Sequence, residues 1–177
     1  MKKYEFTGET KEIRLLFRTA TLHRIRATVA FGIVEVGDLG GWIEKEENLS
    51  HEGKAWVWGN AKVWGNAEVC GDAKVWGNAE VCGDAKVWGN AEVFSASHVL
   101  VIGAIGSRND FTTFYRDKDN EITVKCGCFL GKIDRFLEKV TQTHGDSKYA
   151  LVYRAAVEVA KLQIDLSGEA PKDADEE

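Results

Sequence analysis

No apolar run in the 177 residues approaches the 18 that a membrane-spanning helix needs, and the opening MKKYEFTGETK lacks the apolar core of a secretion signal. These two absences exclude a helical membrane protein and make the cytoplasm the expected compartment. Cysteine is scarce. Cys70, Cys82, Cys126 and Cys128 are the only four, and without an export signal they read as reduced thiols, not as a disulfide framework. A surplus of positive charge is also missing. The net charge is −5, divided as +3 over residues 1–36, −5 over 37–100 and −3 over 101–177. That balance excludes a basic nucleic-acid binder and leaves room only for a local basic face near the N-terminus. What is present, 44% hydrophobic and 29% charged residues, is the composition of a folded chain with one real core or two small lobes.

The most regular stretch is GNAEVCGDAKVWGNAEVCGDAKVWGNAEV, residues 65–93. Valine recurs every six residues from Val57 to Val93, with alanine two positions before each, from Ala55 to Ala91. Alternate side chains of a strand point to opposite faces, so Ala and Val share the inside and the residues between them face out. Glycine followed by Asn or Asp then makes a corner, since both tolerate left-handed backbone. A short strand and a corner in every six residues make one side of a coil.

This pattern resembles the hexapeptide repeats of left-handed parallel β-helices, in which three sides close an 18-residue coil. Handedness and triangular section come from the resemblance. The number of sides has separate support in the outward slot before Val, which reads Lys62, Glu68, Lys74, Glu80, Lys86, Glu92. Coils of 18 residues, stacked about 4.8 Å apart, place Lys62 by Glu80, Glu68 by Lys86 and Lys74 by Glu92. Asn66 likewise falls beside Asp84. Coils of 12 or 24 residues would set Lys on Lys, which is unfavourable.

The second outward slot reads Trp58, Trp64, Cys70, Trp76, Cys82, Trp88, Phe94. An 18-residue coil makes Trp58, Trp76 and Phe94 one aromatic column, and sets Trp64 with Cys82 and Cys70 with Trp88. Such a column is a self-contained ladder, a surface covered by flanking lobes or another subunit, or a platform on which a ligand stacks. Coverage is the reading adopted: Trp58, Trp64, Trp76, Trp88 and Phe94 are the candidate interface of a homo-oligomer, expected as a trimer.

Residues 12–36 read as two or three strands, with Ile25, Ala27 and Val29 on one face and Arg24, Arg26 and Thr28 on the other. Arg24 and Arg26 are either a solvated strand face or a site for a small anionic ligand. GGWI, an acidic stretch and NLS then lead into the repeats. This looks like the N-terminal cap of YdcK-like hexapeptide-repeat proteins, which are frequent in phages and prophages. The resemblance covers roughly residues 15–95, and implies the fold and a mobile-element setting without an activity. Beyond it come a strand at 98–103, a hairpin of FTTFYR and ITVKCGCF, and helices near 132–143 and 147–164. This ββαα block resembles small domains found behind repeats in phage-type proteins.

No catalytic constellation is expected. Hexapeptide-repeat acyltransferases are alike in a catalytic His on a coil or an inserted loop, yet no His lies between Trp56 and Phe94 and no loop interrupts the repeats. His51 and His98 flank the coils without an orienting partner in the sequence. Cys126-Gly-Cys128 with His144-Gly-Asp146 is not standard zinc spacing, and the two cysteines read as one face of a strand. No metal or other cofactor is expected.

The chain thus reads as mainly β. It comprises an N-terminal β cap (1–48), a short left-handed parallel β-helix (49–97), an α+β lobe (98–165) and an acidic, disordered tail (166–177). The expected function is non-enzymatic binding or assembly. Its specific form is a phage accessory protein in the host cytoplasm that binds a host immune protein or sequesters a small anionic signal. An acyltransferase-like enzyme and a virion or filament component are the alternatives. Neither membrane nor nucleic-acid binding is expected.

Overall fold

Strands β1 (Tyr4–Arg14) and β2 (Thr19–Ala27) form a long antiparallel hairpin in the computed structural model, which describes residues 2–168. Ile25 and Ala27 point inward, and Arg24 and Arg26 outward, as alternation requires. Strand β1 begins well before residue 12, and the segment between Ala27 and β3 (Leu39–Ile43) carries only the isolated Phe31–Val34 bridge. Strand β3 joins the hairpin to the repeats. One edge pairs antiparallel with β2, while the other sets Trp42 beside Lys62 and Ile43 beside Val63 in parallel.

Glycine makes that junction possible. A Cβ on Gly41 would lie 2.6 Å from the Ala61 carbonyl oxygen and 2.7 Å from Val57 Cγ1. The GGWI motif therefore lets the backbone of β3 lie directly on the first turn of the repeats.

Seven two-residue strands follow: β4 (Trp56–Val57), β5 (Lys62–Val63), β6 (Glu68–Val69), β7 (Lys74–Val75), β8 (Glu80–Val81), β9 (Lys86–Val87) and β10 (Glu92–Val93). Strands β4 to β7 each pair in parallel with the strand three further on, giving ladders β4–β7–β10, β5–β8 and β6–β9. The chain visits three sheets in rotation, and paired residues are 18 apart. Every repeat Val is fully buried and every repeat Ala at most 1% exposed. The corners use left-handed glycine. Gly71 has φ +75°, and a Cβ there would meet the Gly89 nitrogen at 2.9 Å.

At the entry the register of the repeats shifts. Ile43 and Leu49 continue the pattern in the Ala slot, yet they stand opposite Val63 and Val69. Leu49 and Val57 are eight residues apart, so the turn after Leu49 holds two more than a repeat and shifts the register. Side chains close this end of the stack. Asn48, fully buried at the close of a short 3₁₀ turn, donates from Nδ2 to the Ala67 carbonyl at 2.8 Å. Lys3 Nζ donates to the Ala55 carbonyl at 2.7 Å, and the Tyr4 hydroxyl to that of Leu49 at 2.9 Å. Open strand ends need such partners.

At the other end lies an antiparallel sheet in chain order: β11 (Val99–Ile105), β12 (Asp110–Arg116), β13 (Ile122–Cys126) and β14 (Phe129–Lys132). Val99, Val101 and Tyr115 on one face join the core of the repeats. Leu100, Ile102, Phe114 and Val124 on the other pack under α1 (Ile133–His144) and α2 (Lys148–Gln163). The sheet is thus a layer between repeats and helices, and the lobe has four strands in that sheet.

Two local expectations are corrected. ITVKCGCF is not one strand: the chain turns at Gly127, with φ +55°, and Cys126 pairs with Phe129. Cys126 and Cys128 therefore share no strand face; the first is half-buried and the second exposed. Residues 166–168 do not belong to a disordered tail, because Arg116 donates to the carbonyls of Ser167 and Gly168 at 3.3 and 2.7 Å. The remainder of that tail, 169–177, lies outside the described residues.

Candidate functional site

The outward aromatic column forms as its spacing requires. Ring centroids are 5.5 Å apart for Trp58–Trp76 and 6.5 Å for Trp76–Phe94. It ends on a cation, with the Arg116 guanidinium 4.6 Å from the Phe94 ring and His98 edge-on at 4.3 Å. Trp76, in the middle, is only 8% exposed, while Trp58 and Phe94 are half-buried. The other two tryptophans lie elsewhere. Trp64 is buried with Trp42 and Leu22, against Ile13 and Leu15 of the hairpin. Trp88 is half-buried beneath Lys125, whose Nζ is 4.1 Å from the ring centroid. The five candidate residues are thus spread over separate surfaces, and the flanking lobes cover part of them.

Arg24 and Arg26 share a face, but β1 answers both. Arg26 pairs with Glu5, and Arg24 lies 3.8 Å from Glu9. Arg24 and Lys11 both rest on the Trp42 ring, at 5.5 and 4.4 Å. An anion at this face meets a cation–aromatic cluster already balanced by two carboxylates.

His51 and His98 flank opposite ends of the stack and both serve its caps. His51 stacks on Tyr4 at 4.3 Å and accepts a hydrogen bond from the Lys3 amide. His98 is buried and accepts from the Phe94 amide at 3.4 Å; burial, with Arg116 adding to it, holds its pKa below the ordinary imidazole value. The Cys126, Cys128, His144 and Asp146 set is not assembled. His144 packs on Tyr149 and Tyr153, Asp146 pairs with Arg154 at 3.5 Å, and Cys128 sits on the exposed turn.

A cluster unmarked in the sequence reading lies in the β12–β13 turn. Asp117 is fully buried and accepts from Thr123 Oγ1 at 2.6 Å and the Asp119 amide at 2.9 Å. Asp119 and Glu121 join it to form the acidic grouping, among the described residues, that could hold a metal ion. Lys132 fills that position, its Nζ bonded to Asp117 and 2.6 Å from Glu121. Burial pushes the Asp117 carboxyl up, but Lys132, Thr123 and backbone N–H groups outweigh it and hold the pKa below the usual range. The D-x-D-x-E spacing was readable; the lysine that neutralises it came from a different strand. Trp56 was also overlooked: it occupies an outward slot, yet Tyr4 and Phe31 bury it completely.

Large apolar side chains remain in solvent at both ends of the molecule. Leu16 and Phe17, at the tip of the β1–β2 hairpin, are 87% and 94% exposed. Leu151, Val152, Val159 and Leu162 are exposed along α2. Among the described residues no helix is long and apolar enough to cross a membrane.

The fold and these surfaces define a mainly β protein with short parallel sheets and a C-terminal two-helix lobe. No family model matches the chain, and no curated protein matches it.

Proposed function

We propose that this chain is a short left-handed parallel β-helix that acts by stoichiometric binding, a non-enzymatic assembly module of a phage or mobile element. The observation that carries the reading is the hairpin tip. Leu16 and Phe17 project from a hairpin packed at its base on Trp42, Trp64 and Leu22, so the arm presents two nearly bare anchor residues. Large apolar anchors offered on a preorganised support suit protein recognition, because little ordering entropy is lost on binding. The specific form is an accessory protein that engages a host immune protein in the cytoplasm. Its support is the resemblance of GGWI and the repeats to phage-type proteins. Trp58 and Phe94 remain proposed contact residues at the accessible ends of their column.

The test is phage plating on a defence-carrying host that expresses the protein. Leu16→Glu with Phe17→Glu should abolish the protective effect on the phage while far-UV circular dichroism stays unchanged. Turnover of a coenzyme A thioester, lost in His51→Ala or His98→Ala, would transfer the reading to an acyltransferase.

A second reading, sequestration of a small anionic signal, is favoured by Lys11 and Arg24 sharing the Trp42 ring. Calorimetric titration with cyclic and linear nucleotides tests it. Affinity that survives Arg24→Ala with Arg26→Ala moves the site away from this face.

A further inference from the structure

Arg24 and Arg26 share a face of the N-terminal sheet but differ in what holds them. The Nε and Nη2 groups of Arg26, one edge of the guanidinium, both reach Glu5 Oε1, at 3.2 and 2.5 Å. At Arg24 the acid stands elsewhere: Glu9 is 3.8 Å from Nη1, beyond hydrogen-bond length. The Arg24 Nε is buried with no hydrogen-bond partner, and so is the indole Nε1 of Trp42, a residue only 7% exposed. These two residues are register partners across β2 and β3, and the Arg24 guanidinium lies 5.5 Å from the centre of the Trp42 ring. Neighbouring strands thus hold two unanswered N–H donors on paired residues, which is costly unless something accepts from them.

A cation without an acid of its own completes the group. Lys11 Nζ lies 4.4 Å from the centre of the same ring and, among the described residues, pairs with no carboxylate. The other charges nearby are already matched. Lys62, beside Trp42 on β5, is held by Glu80 at 2.8 Å, and Glu44, two residues beyond Trp42, by Arg18 Nη2 at 3.1 Å. Glu5 and Glu9 balance the two arginines, so the charge of Lys11 is left over. We propose that Arg24, Lys11 and Trp42 form a site for a phosphate group. The free Nε edge of Arg24 and the Trp42 indole N–H donate to its oxygens, and Lys11 supplies the surplus charge. This narrows the anionic-ligand reading, on which it rests, to one arginine and one chemical class.

The donor set selects the ligand. A guanidinium edge gives two parallel bonds to an oxyanion, and a lysine ammonium on its flexible stem adds a point charge. Here the donors come from three strands, β1, β2 and β3, which suits the pyramid of oxygens on a phosphate better than the flat pair of a carboxylate. The Trp42 ring offers no platform for a base, because Lys11 and Arg24 lie on it and it is nearly closed to solvent. The phosphate itself is therefore what the site recognises. Lys11 is half-buried and forms part of the cover over the ring. Its stem lifts to admit the anion while the ammonium stays beside it. Glu9 competes with the ligand for Arg24.

Titration of the full chain with inorganic phosphate, adenosine monophosphate and acetate at constant ionic strength tests this. The readout is the set of indole N–H resonances in two-dimensional NMR, with Trp42→Phe identifying the Trp42 signal. The expected result is a saturable shift of that signal with both phosphates and none with acetate. Equal affinity for the two phosphates means that the free ion suffices, and tighter binding of the monophosphate means that an ester is the source. Arg24→Lys keeps the charge but loses the edge, and should weaken binding roughly tenfold, as should Lys11→Met. Glu9→Gln should tighten it, while Lys139→Met on α1 changes nothing. A Trp42 signal that saturates with neither phosphate, an equal response to acetate, or affinity indifferent to Arg24→Lys overturns the proposal. Nucleotide binding seen by calorimetry with the Trp42 signal unmoved overturns this site and leaves the anionic-ligand reading standing elsewhere on the molecule.

Discussion

Lys62 and Glu80 are separated by 18 residues of chain and lie side by side across the β5–β8 ladder, Nζ 2.8 Å from Oε1. Lys74 and Glu92 repeat the relationship at 3.3 Å, and Asn66 donates to Asp84 at 3.1 Å one corner away. The sequence alternates its outward charges with period 12 while the structure stacks with period 18, and that mismatch sets unlike groups against each other. Glu68 and Lys86 keep the same register beneath the C-terminal lobe.

This register is open to a charge exchange. Lys62→Glu should lower stability by about 0.5–1 kcal/mol, the scale of an exposed pair together with the new like-charge contact. Lys62→Glu with Glu80→Lys should recover most of the loss. Urea midpoints of the four proteins measure the coupling, and a coupling of zero would show that the pair adds nothing to the register.

Val75 is fully buried between Val57 and Val93 on neighbouring strands. Val75→Ala should cost about 2 kcal/mol and leave the fold intact. Val75→Asp buries an unpaired carboxylate and should abolish cooperative unfolding, a cost of at least about 3–5 kcal/mol. A Val75→Asp protein that still melts cooperatively near the parent temperature would contradict a dry, closed interior.

Gly41 and Gly59 separate two uses of glycine. A Cβ at Gly41 meets the Ala61 carbonyl oxygen at 2.6 Å, while one at Gly59 has nothing within 4 Å but requires φ of +55°. Gly59→Ala should cost about 1 kcal/mol, the penalty of left-handed backbone. Gly41→Ala must push the cap off the first turn and should cost well above about 2 kcal/mol. Equal thermal shifts would refute the close approach of β3.

Lys3 is 3% exposed, and burial pushes its ammonium pKa down to about 8, against the weaker opposing pull of Cys70 and Asp72. The unfolded chain, with a Lys pKa near 10.4, binds more protons between these values, so this group makes stability rise with pH across that window. Between pH 7 and 9 the gain should be on the order of 1 kcal/mol. Burial also pushes the Cys70 thiol up to about 11, which acts in the opposite sense as pH rises past the ordinary thiol value. The Lys3 contribution is therefore the difference between wild type and Lys3→Met in denaturant titrations at the two pH values. Parallel stability–pH curves for the two proteins would refute it.

Much of the architecture was legible because it is periodic and local. Ala, Val, Gly and the outward residue each recur within six positions, and one strand with one corner is specified by neighbours in sequence. Helix α2 was legible for the same reason on its inner stripe. Its outer stripe was equally present in the sequence and overlooked, because a single stripe suffices to identify a helix.

The sequence by itself determined the repeat, the inward Ala and Val, the three-fold rotation of sheets and the pairing of unlike charges. Only the tertiary structure decided what covers the outward residues. Trp64 is closed off by a hairpin some forty residues earlier, Trp88 by Lys125, and the Asp117 group by Lys132. Arg24 and Arg26 looked like a free basic face until β1 folded against β2 and brought Glu9 and Glu5 to them. A repeat dictates its own backbone through contacts a few residues away. Burial of a side chain pointing outward depends on whichever distant segment the chain lays over it, and no local pattern encodes that segment's position.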